Sequence, residues 1–172
     1  MEYYYPELIE NVSSCKSPQQ MFGALVKTYW AQKNNIDPKN IYVVSIMPCV
    51  AKKFEKNRDY ENASGYPDID ASLTTRELAR FIKEKGILFN LLPDGEMDNP
   101  MGEFSGAGVI FGATGGVMEA ALRTAVEKLT GETLGKLDFK EVRGTAGIKE
   151  ASYKVGGMNV KVAVASGLSN AK

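Results

Sequence analysis

IYVVSIMPCVAKKFE, residues 41–55, contains a strand pattern that stops abruptly at a proline. Residues 41–47 are dominated by Ile and Val without clean alternation, which predicts a strand covered on both faces. Pro48 ends the strand because proline cannot donate a ladder hydrogen bond. Residues that follow such a strand emerge at the edge of a sheet, where open α/β folds place their chemistry. The segment therefore predicts that Cys49, closely followed by two lysines, lies at a sheet edge.

Composition limits the class of protein around this corner. The chain has 172 residues, the length of one domain, and its 44% apolar and 24% charged residues are typical of a soluble globular protein. Its 21 basic and 21 acidic residues balance, so we expect neither nucleic acid nor an anionic membrane as a partner. No segment approaches the roughly 20 apolar residues of a membrane span, and the acidic, aromatic N-terminus is unlike a signal peptide. We therefore expect a cytoplasmic protein.

The chain contains two cysteines, Cys15 and Cys49, and no histidine. Two cysteines do not form a disulfide framework, and they fit a reducing compartment. The lack of histidine excludes a Ser/His or Cys/His catalytic arrangement within the chain. Taken alone, Cys49 has two interpretations: a small apolar residue after a buried strand, or a metal or redox thiolate favoured by the nearby lysines. Cys15 has no cysteine or histidine near it in sequence and is interpreted as structural.

The first half of the chain alternates helix and strand signals. Ser17 as N-cap, Pro18 at the first helical position and Gln20 in a capping box predict a helix to about Lys33. Its inward face is predicted from apolar residues three and four apart. These residues are Phe22, Leu25, Val26, Tyr29 and Trp30.

Residues 52–68 are charged and rich in turn-forming residues, so they predict a surface loop. A second strand is predicted at about 69–73. The capping box of residues 74–77 then starts a helix that ends at Gly86. Its predicted apolar side carries Leu78, Phe81 and Ile82.

The second half begins with a predicted long loop, residues 91–108, and a short strand at 109–111. The glycine-rich turn after it matches neither nucleotide-binding pattern, so a tight turn is favoured over a phosphate site. A third helix should end at Gly131, and its predicted inward residues are Val117, Ala121, Leu122, Ala125 and Leu129.

A strand at 139–144 and a β-hairpin around Gly156-Gly157 complete the pattern. The predicted class is α/β, with a mixed sheet flanked by helices.

Five motifs, in order and spacing, resemble the catalytic domain of the iron-only ([FeFe]) hydrogenases. They are SPQQMFGALVKTYW, SIMPCVAKKFEK, TTRELARFIKEKGI, DNPMGEFSGAGVIFGATGGVMEAALRTA and EVRGTAGIKEA. Iron–sulfur assembly proteins related to this family carry something similar to MPCxxKK, whereas FGATGGVMEAALRTA is more specific to hydrogenases. The resemblance implies a two-lobed domain with an H-cluster, a [4Fe-4S] cube joined through a cysteine to a diiron centre, that reduces protons or oxidises dihydrogen.

The resemblance also implies roles for individual residues. Cys49 is similar to one thiolate ligand of the cube, and Lys52 to the cation that donates to a cyanide of the diiron centre. Ser13 matches a hydroxyl of the family's proton path. The positions that match the wall of the diiron pocket are Pro18, Gln19, Met47, Phe111 and Gly112.

The sequence departs from the family in its cysteines. The family uses four, spread over three motifs, and only the middle motif is present here. A cube needs about four thiolates. We therefore expect residues 1–172 to be a single partial catalytic domain, the central portion without the first and last cysteine motifs, which is metal-free and inactive alone. The parent protein would exchange electrons with a carrier such as ferredoxin.

Three alternatives remain from the sequence. The first is an iron–sulfur assembly or scaffold protein with a hydrogenase-like fold, and the second is a hydrogenase-related sensor. The third is a truncated binding module whose exposed apolar surface associates with a partner or with itself. We expect the chain to self-associate, for example by strand exchange at an uncovered sheet edge.

Overall fold

The computed structural model describes residues 1–103, 105–133, 146–155 and 157–171, together with the backbone of residues 140–141. They form two compact units, residues 1–101 and 102–172. Helices and strands occur in both, which confirms the α/β class. The expectation that both units belong to one partial catalytic domain stays a prediction.

The first unit contains four α-helices and two strands among its described residues. They are α1 (Pro18–Leu25), α2 (Ala31–Lys33), β1 (Val44–Met47), α3 (Ala51–Glu55), β2 (Ala71–Thr74) and α4 (Thr75–Glu84). A π-helical turn, Val26–Trp30, joins α1 to α2, so helical backbone runs from residue 18 to residue 33. The predicted helix is confirmed. Short 3-10 segments occupy Pro6–Asn11, Pro38–Asn40 and Phe89–Leu91.

The two strands of the first unit lie parallel, and Ser45 pairs with Ser72 in register. Both serines are buried, and the Ser45 hydroxyl donates a hydrogen bond to Oε1 of Gln19 at 2.5 Å. The alternate side chains, Val44 and Ile46, are exposed. The prediction of a strand covered on both faces was therefore wrong, because α1 packs on the serine face and the Val44 face stays open.

None of the residues predicted to face inward in the helical run 18–33 is fully buried, although Val26 and Trp30 are half-buried. The buried residues of this run are Gln20, Gly23, Lys27 and Ala31. Met21, Phe22, Leu25 and Tyr29 are exposed. The reason is steric at Gly23, where an added Cβ would lie 2.3 Å from the carbonyl oxygen of Asp68. Only glycine allows the helix to approach this closely, so the glycine side determines which face meets the rest of the unit.

Two lysines connect the helical region to residues 60–70 through ion pairs and hydrogen bonds. Nζ of Lys27, which is 1% exposed, contacts Oδ2 of Asp70 and the carbonyl oxygen of Pro67, both at 2.6 Å. Nζ of Lys16 contacts the fully buried Asp68 at 2.6 Å. Buried charges are retained only when they are paired and hydrogen-bonded. Ion pairs therefore supply much of the interior of this unit.

Two further predictions concern residues 51–86. The surface loop predicted over 52–68 was wrong at its start, because α3 occupies Ala51–Glu55. The capping box is confirmed: the Glu77 backbone N–H donates to Oγ1 of Thr74 at 3.2 Å, and the Thr74 N–H donates to Oε2 of Glu77 at 2.8 Å. Helix α4 ends before Gly86, which has φ +69°.

Among its described residues, the second unit contains two helices and three strands. They are α5 (Gly106–Ile110), α6 (Gly116–Thr130), β3 (Lys140–Glu141), β4 (Ile148–Val155) and β5 (Met158–Ala165). The strand predicted at 109–111 was wrong, because Val109 and Ile110 end a helix. Strands β3, β4 and β5 pair antiparallel in that order. The hairpin is confirmed. The strand predicted at 139–144 lies outside the described residues except for β3.

Helix α6 packs on the hairpin through Leu122 and Val126, which form a buried cluster with Val155. Of the predicted inward residues, only Leu122 is buried. Val117, Ala121, Ala125 and Leu129 are exposed. Gly116 fixes the start of α6, since an added Cβ there would lie 1.8 Å from the carbonyl oxygen of Ile110. The predicted end of the helix is confirmed at Gly131.

Candidate functional site

The candidate site begins where β1 ends. Met47, the last residue of β1, is half-buried and pairs with Thr74, the last residue of β2. The chain then bends through Pro48 and Cys49 before α3 starts at Ala51. Cys49 is a free, exposed cysteine. The structure therefore confirms that Cys49 emerges at the surface just after the strand, two residues beyond Met47.

Lys52 lies in α3 and is half-buried. Its Nζ contacts Oε2 of Glu55 at 2.5 Å, and the hydroxyl of Ser17 donates to the other oxygen of the same carboxylate. The carboxylate thus joins the Cys49 corner to the residue that precedes α1. An ammonium has three donors, so Lys52 retains donor capacity for a further anionic acceptor.

Lys53, the next residue of α3, has a different partner. Its Nζ contacts Oε1 of Glu77 in α4 at 2.5 Å. This hydrogen bond, with that from the Thr74 backbone N–H, lowers the pKa of Glu77 from 4.5 to about 2. Lys52 and Lys53 thus each have a carboxylate partner.

Pro18 and Gln19 start α1 beside these residues. Pro18 is exposed at the first helical position, as predicted, but Ser17 forms no side-chain cap, so the expected capping box with Gln20 was wrong. The Ser17 hydroxyl instead reaches Glu55. Gln19 accepts from Ser45, while its Nε2 is buried without a partner among the described residues.

Gln20 and Ser72 are polar residues that the sequence interpretation did not connect with this region. Gln20 is 0% exposed, and within the described part of the chain neither its Oε1 nor its Nε2 has a hydrogen-bond partner. The Ser72 hydroxyl is likewise buried and unpaired there. The position of Gly23 could have predicted the burial of Gln20. The two residues share a helix face, and a glycine allows that face to pack closely.

The remaining predicted site residues are Ser13 in the first unit and Phe111 and Gly112 in the second. Ser13 is exposed, and its Oγ accepts a local hydrogen bond from the Cys15 backbone N–H at 3.2 Å. Phe111 and Gly112 belong to the second unit and are exposed just after α5. Among the described residues, an added Cβ at Gly112 would meet the Val109 carbonyl oxygen at an ordinary 3.6 Å and nothing closer. Close packing within the described second unit therefore requires Gly116 and not Gly112.

An iron–sulfur cube needs more protein ligands than the Cys49 corner supplies. Among the described residues, no group of three or more Cys, His, Asp or Glu side chains is arranged to hold a metal ion. Cys49 is one of the two cysteines of the chain, and the other is Cys15. A cube needs about four thiolates. The corner fits one ligand of a cube, and this chain does not fit the whole.

Comparison with known proteins identifies the family. A match to the family described as "Iron only hydrogenase large subunit, C-terminal domain" spans residues 1–172. The chain belongs to this family. It is 58% identical over 171 residues to the periplasmic [Fe] hydrogenase large subunit of Nitratidesulfovibrio vulgaris, with 99% of this chain and 41% of that protein covered. The resemblance deduced from the five motifs is confirmed.

Solved structures and more distant relatives show how much of each similar protein this chain covers. The chain aligns with a variant of the apo [FeFe]-hydrogenase HydA1 of Chlamydomonas reinhardtii with a TM-score of 0.76 and 46% identity, over 98% of this chain and 50% of that one. It is also 31% identical to the cytosolic iron-sulfur assembly component 3 of Pongo abelii, over 95% of this chain and 35% of that protein. This chain thus spans half or less of each of these proteins.

The membrane and compartment expectations have different outcomes. No helix in the described part of this hydrogenase-family chain is long and apolar enough to cross a membrane. One of its relatives is named as periplasmic. The cytoplasmic location therefore stays a prediction.

Proposed function

We propose that this chain is part of an iron-only hydrogenase that interconverts two protons and two electrons with dihydrogen at an H-cluster. The observation that carries the proposal is the family match over residues 1–172 together with 58% identity to a named hydrogenase subunit. The assembly relative reaches only 31%. The intact FGATGGVMEAALRTA segment, residues 111–125, adds support at the level of motifs.

Within that enzyme Cys49 is one thiolate ligand of the [4Fe-4S] cube. Lys52 supplies a compact ammonium donor to an anionic ligand of the diiron centre. Ser13 contributes a hydroxyl to proton transfer. Residues that wall the diiron pocket are Pro18, Gln19, Met47, Phe111 and Gly112. When bound, the H-cluster supplies the redox chemistry, and the residues of this chain ligate, orient and enclose it.

The role of Cys49 is tested in the full-length parent protein with two matched cysteine variants. Cys49→Ala should lose the iron of the cube and hydrogen evolution, because a thiolate ligand is removed. Cys15→Ala should retain both, because Cys15 is exposed and lies before α1. The measurements are iron analysis, the spectrum of the cube and gas chromatography of hydrogen. A full complement of cube iron in Cys49→Ala would overturn this assignment.

The 172-residue chain alone should remain free of the cluster and inactive, because the corner offers one thiolate of about four. Anaerobic reconstitution with iron and sulfide, followed by iron analysis and a hydrogen assay, tests this expectation. A stoichiometric cluster with measurable turnover would contradict it.

A second candidate is an iron–sulfur assembly protein, favoured by the 31% identity to an assembly component over 95% of this chain. The two candidates differ in whether they evolve hydrogen. A matured full-length hydrogenase evolves hydrogen from a reduced electron donor, whereas an assembly protein loaded with its clusters does not. Absence of hydrogen evolution from the matured protein would favour this second candidate.

The electron partner of the parent is proposed to be a ferredoxin-type carrier in the cytoplasm. The relatives of this chain include hydrogenase subunits, and a hydrogenase requires a redox partner of some kind. Hydrogen evolution with reduced ferredoxin should exceed that with NADPH at equal donor concentration. A preference for NADPH would overturn the choice of carrier and leave the hydrogenase proposal intact.

The isolated chain is also proposed to associate with a second copy of itself. Support comes from four exposed apolar side chains on one side of the run 18–33: Met21, Phe22, Leu25 and Tyr29. Light scattering should give a mass above the 18.8 kDa of one chain. Leu25→Glu should lower that mass, and the exposed polar control Gln32→Glu should not. A monomeric mass at high concentration would count against self-association.

A further inference from the structure

We infer that the ion pair between Lys53 and Glu77 is a clasp that holds the Cys49 corner in place, which makes Glu77 a positioning residue for the Cys49 thiol. The inference deepens the proposed function, because it takes Cys49 as a cluster ligand. It concerns the shape of the corner in this chain, however, and can be measured without iron.

Four connections close a ring around Cys49. Met47 pairs with Thr74 where the parallel strands end. The backbone runs from Met47 through Cys49 to Lys53. The Lys53 ammonium reaches Oε1 of Glu77 at 2.5 Å, and Oε2 of Glu77 accepts from the Thr74 N–H at 2.8 Å. Since each link of the ring is a covalent segment, a strand pairing or a hydrogen bond, loss of the Lys53–Glu77 link opens it on one side.

Helix α3 lies against β2, but its own residues give it little stability. The helix has five residues and no fully buried side chain, and Val50 and Phe54 are exposed. Helices this short are not stable by themselves in water. Side-chain contacts from Lys53 to Glu77 and from Glu55 to Ser17 attach α3 to α4 and α1. The first of these lies directly across the corner.

Glu77 is suited to this task because each of its oxygens has a different partner. One oxygen caps α4 and the other binds Lys53. Its pKa, lowered to about 2, keeps the carboxylate charged throughout the neutral range. A glutamine can accept the same capping hydrogen bond but carries no charge. Glu77→Gln therefore separates the clasp from the helix cap.

The experiment uses the chain in a Cys15→Ser background, where Cys49 is the sole thiol. Lys53→Met removes the cation and keeps most of the side-chain volume, and Glu77→Gln removes the anion. Lys53→Arg retains a cation and serves as the rescue variant. Lys56→Met is the matched control, because the Lys56 ammonium donates to the neighbouring Asn57 and forms no ion pair among the described residues. The readouts are amide hydrogen exchange of residues 48–55 and the rate of Cys49 alkylation by iodoacetamide, both at low protein concentration.

The two charge changes have opposite signs, which makes the outcome decisive. If the clasp holds the corner, Lys53→Met and Glu77→Gln should both raise hydrogen exchange of residues 48–55 by about two- to fivefold, as expected for loss of a partly exposed ion pair. Both should shift the alkylation rate in the same direction. Lys53→Arg and Lys56→Met should have the same hydrogen exchange and alkylation rates as the Cys15→Ser chain. Circular dichroism of Glu77→Gln should show unchanged helix content.

Unchanged hydrogen exchange in both clasp variants would overturn the inference. Opposite shifts of the alkylation rate in the two variants would overturn it too, because they would mean that each charge acts on the reaction at the thiol by itself and not through the shape of the corner. Neither outcome bears on iron binding by the full-length protein, which is measured separately with Cys49→Ala, so failure of the clasp and failure of the proposed function are distinguishable.

Discussion

In the first unit the large side chains that are fully buried are Lys27, Gln20 and Asp68, whereas the second unit buries a cluster of Leu122, Val126 and Val155. In the first unit ion pairs and serine hydroxyls share the interior with Ala31 and Ile69, whereas the helix and hairpin of the second unit pack through aliphatic side chains. The difference shows that the inward face of a helix cannot be predicted in both units from the positions of apolar residues alone.

The two long helical segments make the contrast concrete. Apolar residues recur at helical spacing in the run 18–33 and in α6, and in both segments most of the residues predicted to face inward are exposed. In the first case Gly23 brings the backbone against Asp68, and in the second Gly116 brings it against Ile110. Periodicity identifies a face of a helix, and close glycine contacts determine which face is covered.

The largest expected effect comes from breaking the buried ion pair of the first unit. Asp70→Ala leaves Lys27, which is 1% exposed, without its carboxylate, and should lower the free energy of unfolding by about 3–5 kcal/mol. Lys27→Met should cost much less, because the long side chain still fills its site and Asp70 still accepts from the Val43 N–H. Urea unfolding followed by the fluorescence of Trp30, the single tryptophan, measures both.

The control for this prediction is Asp94→Ala, at an exposed position in the loop before α5. It should leave the unfolding midpoint unchanged. If Asp70→Ala were equally silent, the first unit would not depend on its buried charges, and the contrast between the units would fail.

A somewhat smaller effect is expected from the aliphatic cluster of the second unit. Leu122→Ala removes a side chain that is 8% exposed and should cost about 2–4 kcal/mol of unfolding free energy. Leu129→Ala makes the same chemical change on the same helix at a side chain that is 64% exposed, and should stay within about 0.5 kcal/mol. Hydrogen exchange of α6 and of the β4–β5 hairpin is the measurement. Equal losses in the two variants would show that α6 packs through the face predicted from sequence.

The smallest effect concerns pH and Glu77. The Lys53 hydrogen bond and the capping bond depress its folded pKa from 4.5 to about 2. The stabilisation from this carboxylate is therefore fully present above about pH 4.5 and is lost as the pH falls through about 2. A carbon-detected NMR titration of the Glu77 carboxyl should give a midpoint near 2, and Lys53→Met should move it upward. A midpoint near 4.5 in the unsubstituted chain would contradict the ion pair in solution.

Several parts of the candidate site could be predicted from sequence because they depend on neighbours along the chain. A β-rich run followed by proline predicted that Cys49 emerges after a strand, and the pattern of residues 74–77 predicted the capping box. The partners of Lys52 and Lys53 could not be predicted equally well. Glu77 lies 24 residues from Lys53, and no local pattern indicates which carboxylate a surface lysine will meet.

The sequence by itself determined the α/β class, the helix from residue 18 to residue 33, the ends of α4 and α6, the hairpin and the hydrogenase family. These features follow from short-range signals such as caps, glycines and turn residues, or from motifs kept in order along the chain. Only the tertiary structure decided that the first unit is built around Lys27 and Asp70, that α3 follows Cys49, and that Glu77 reaches across to Lys53. Ion pairs and close backbone contacts join residues far apart in sequence, and their partners are fixed only when the elements pack.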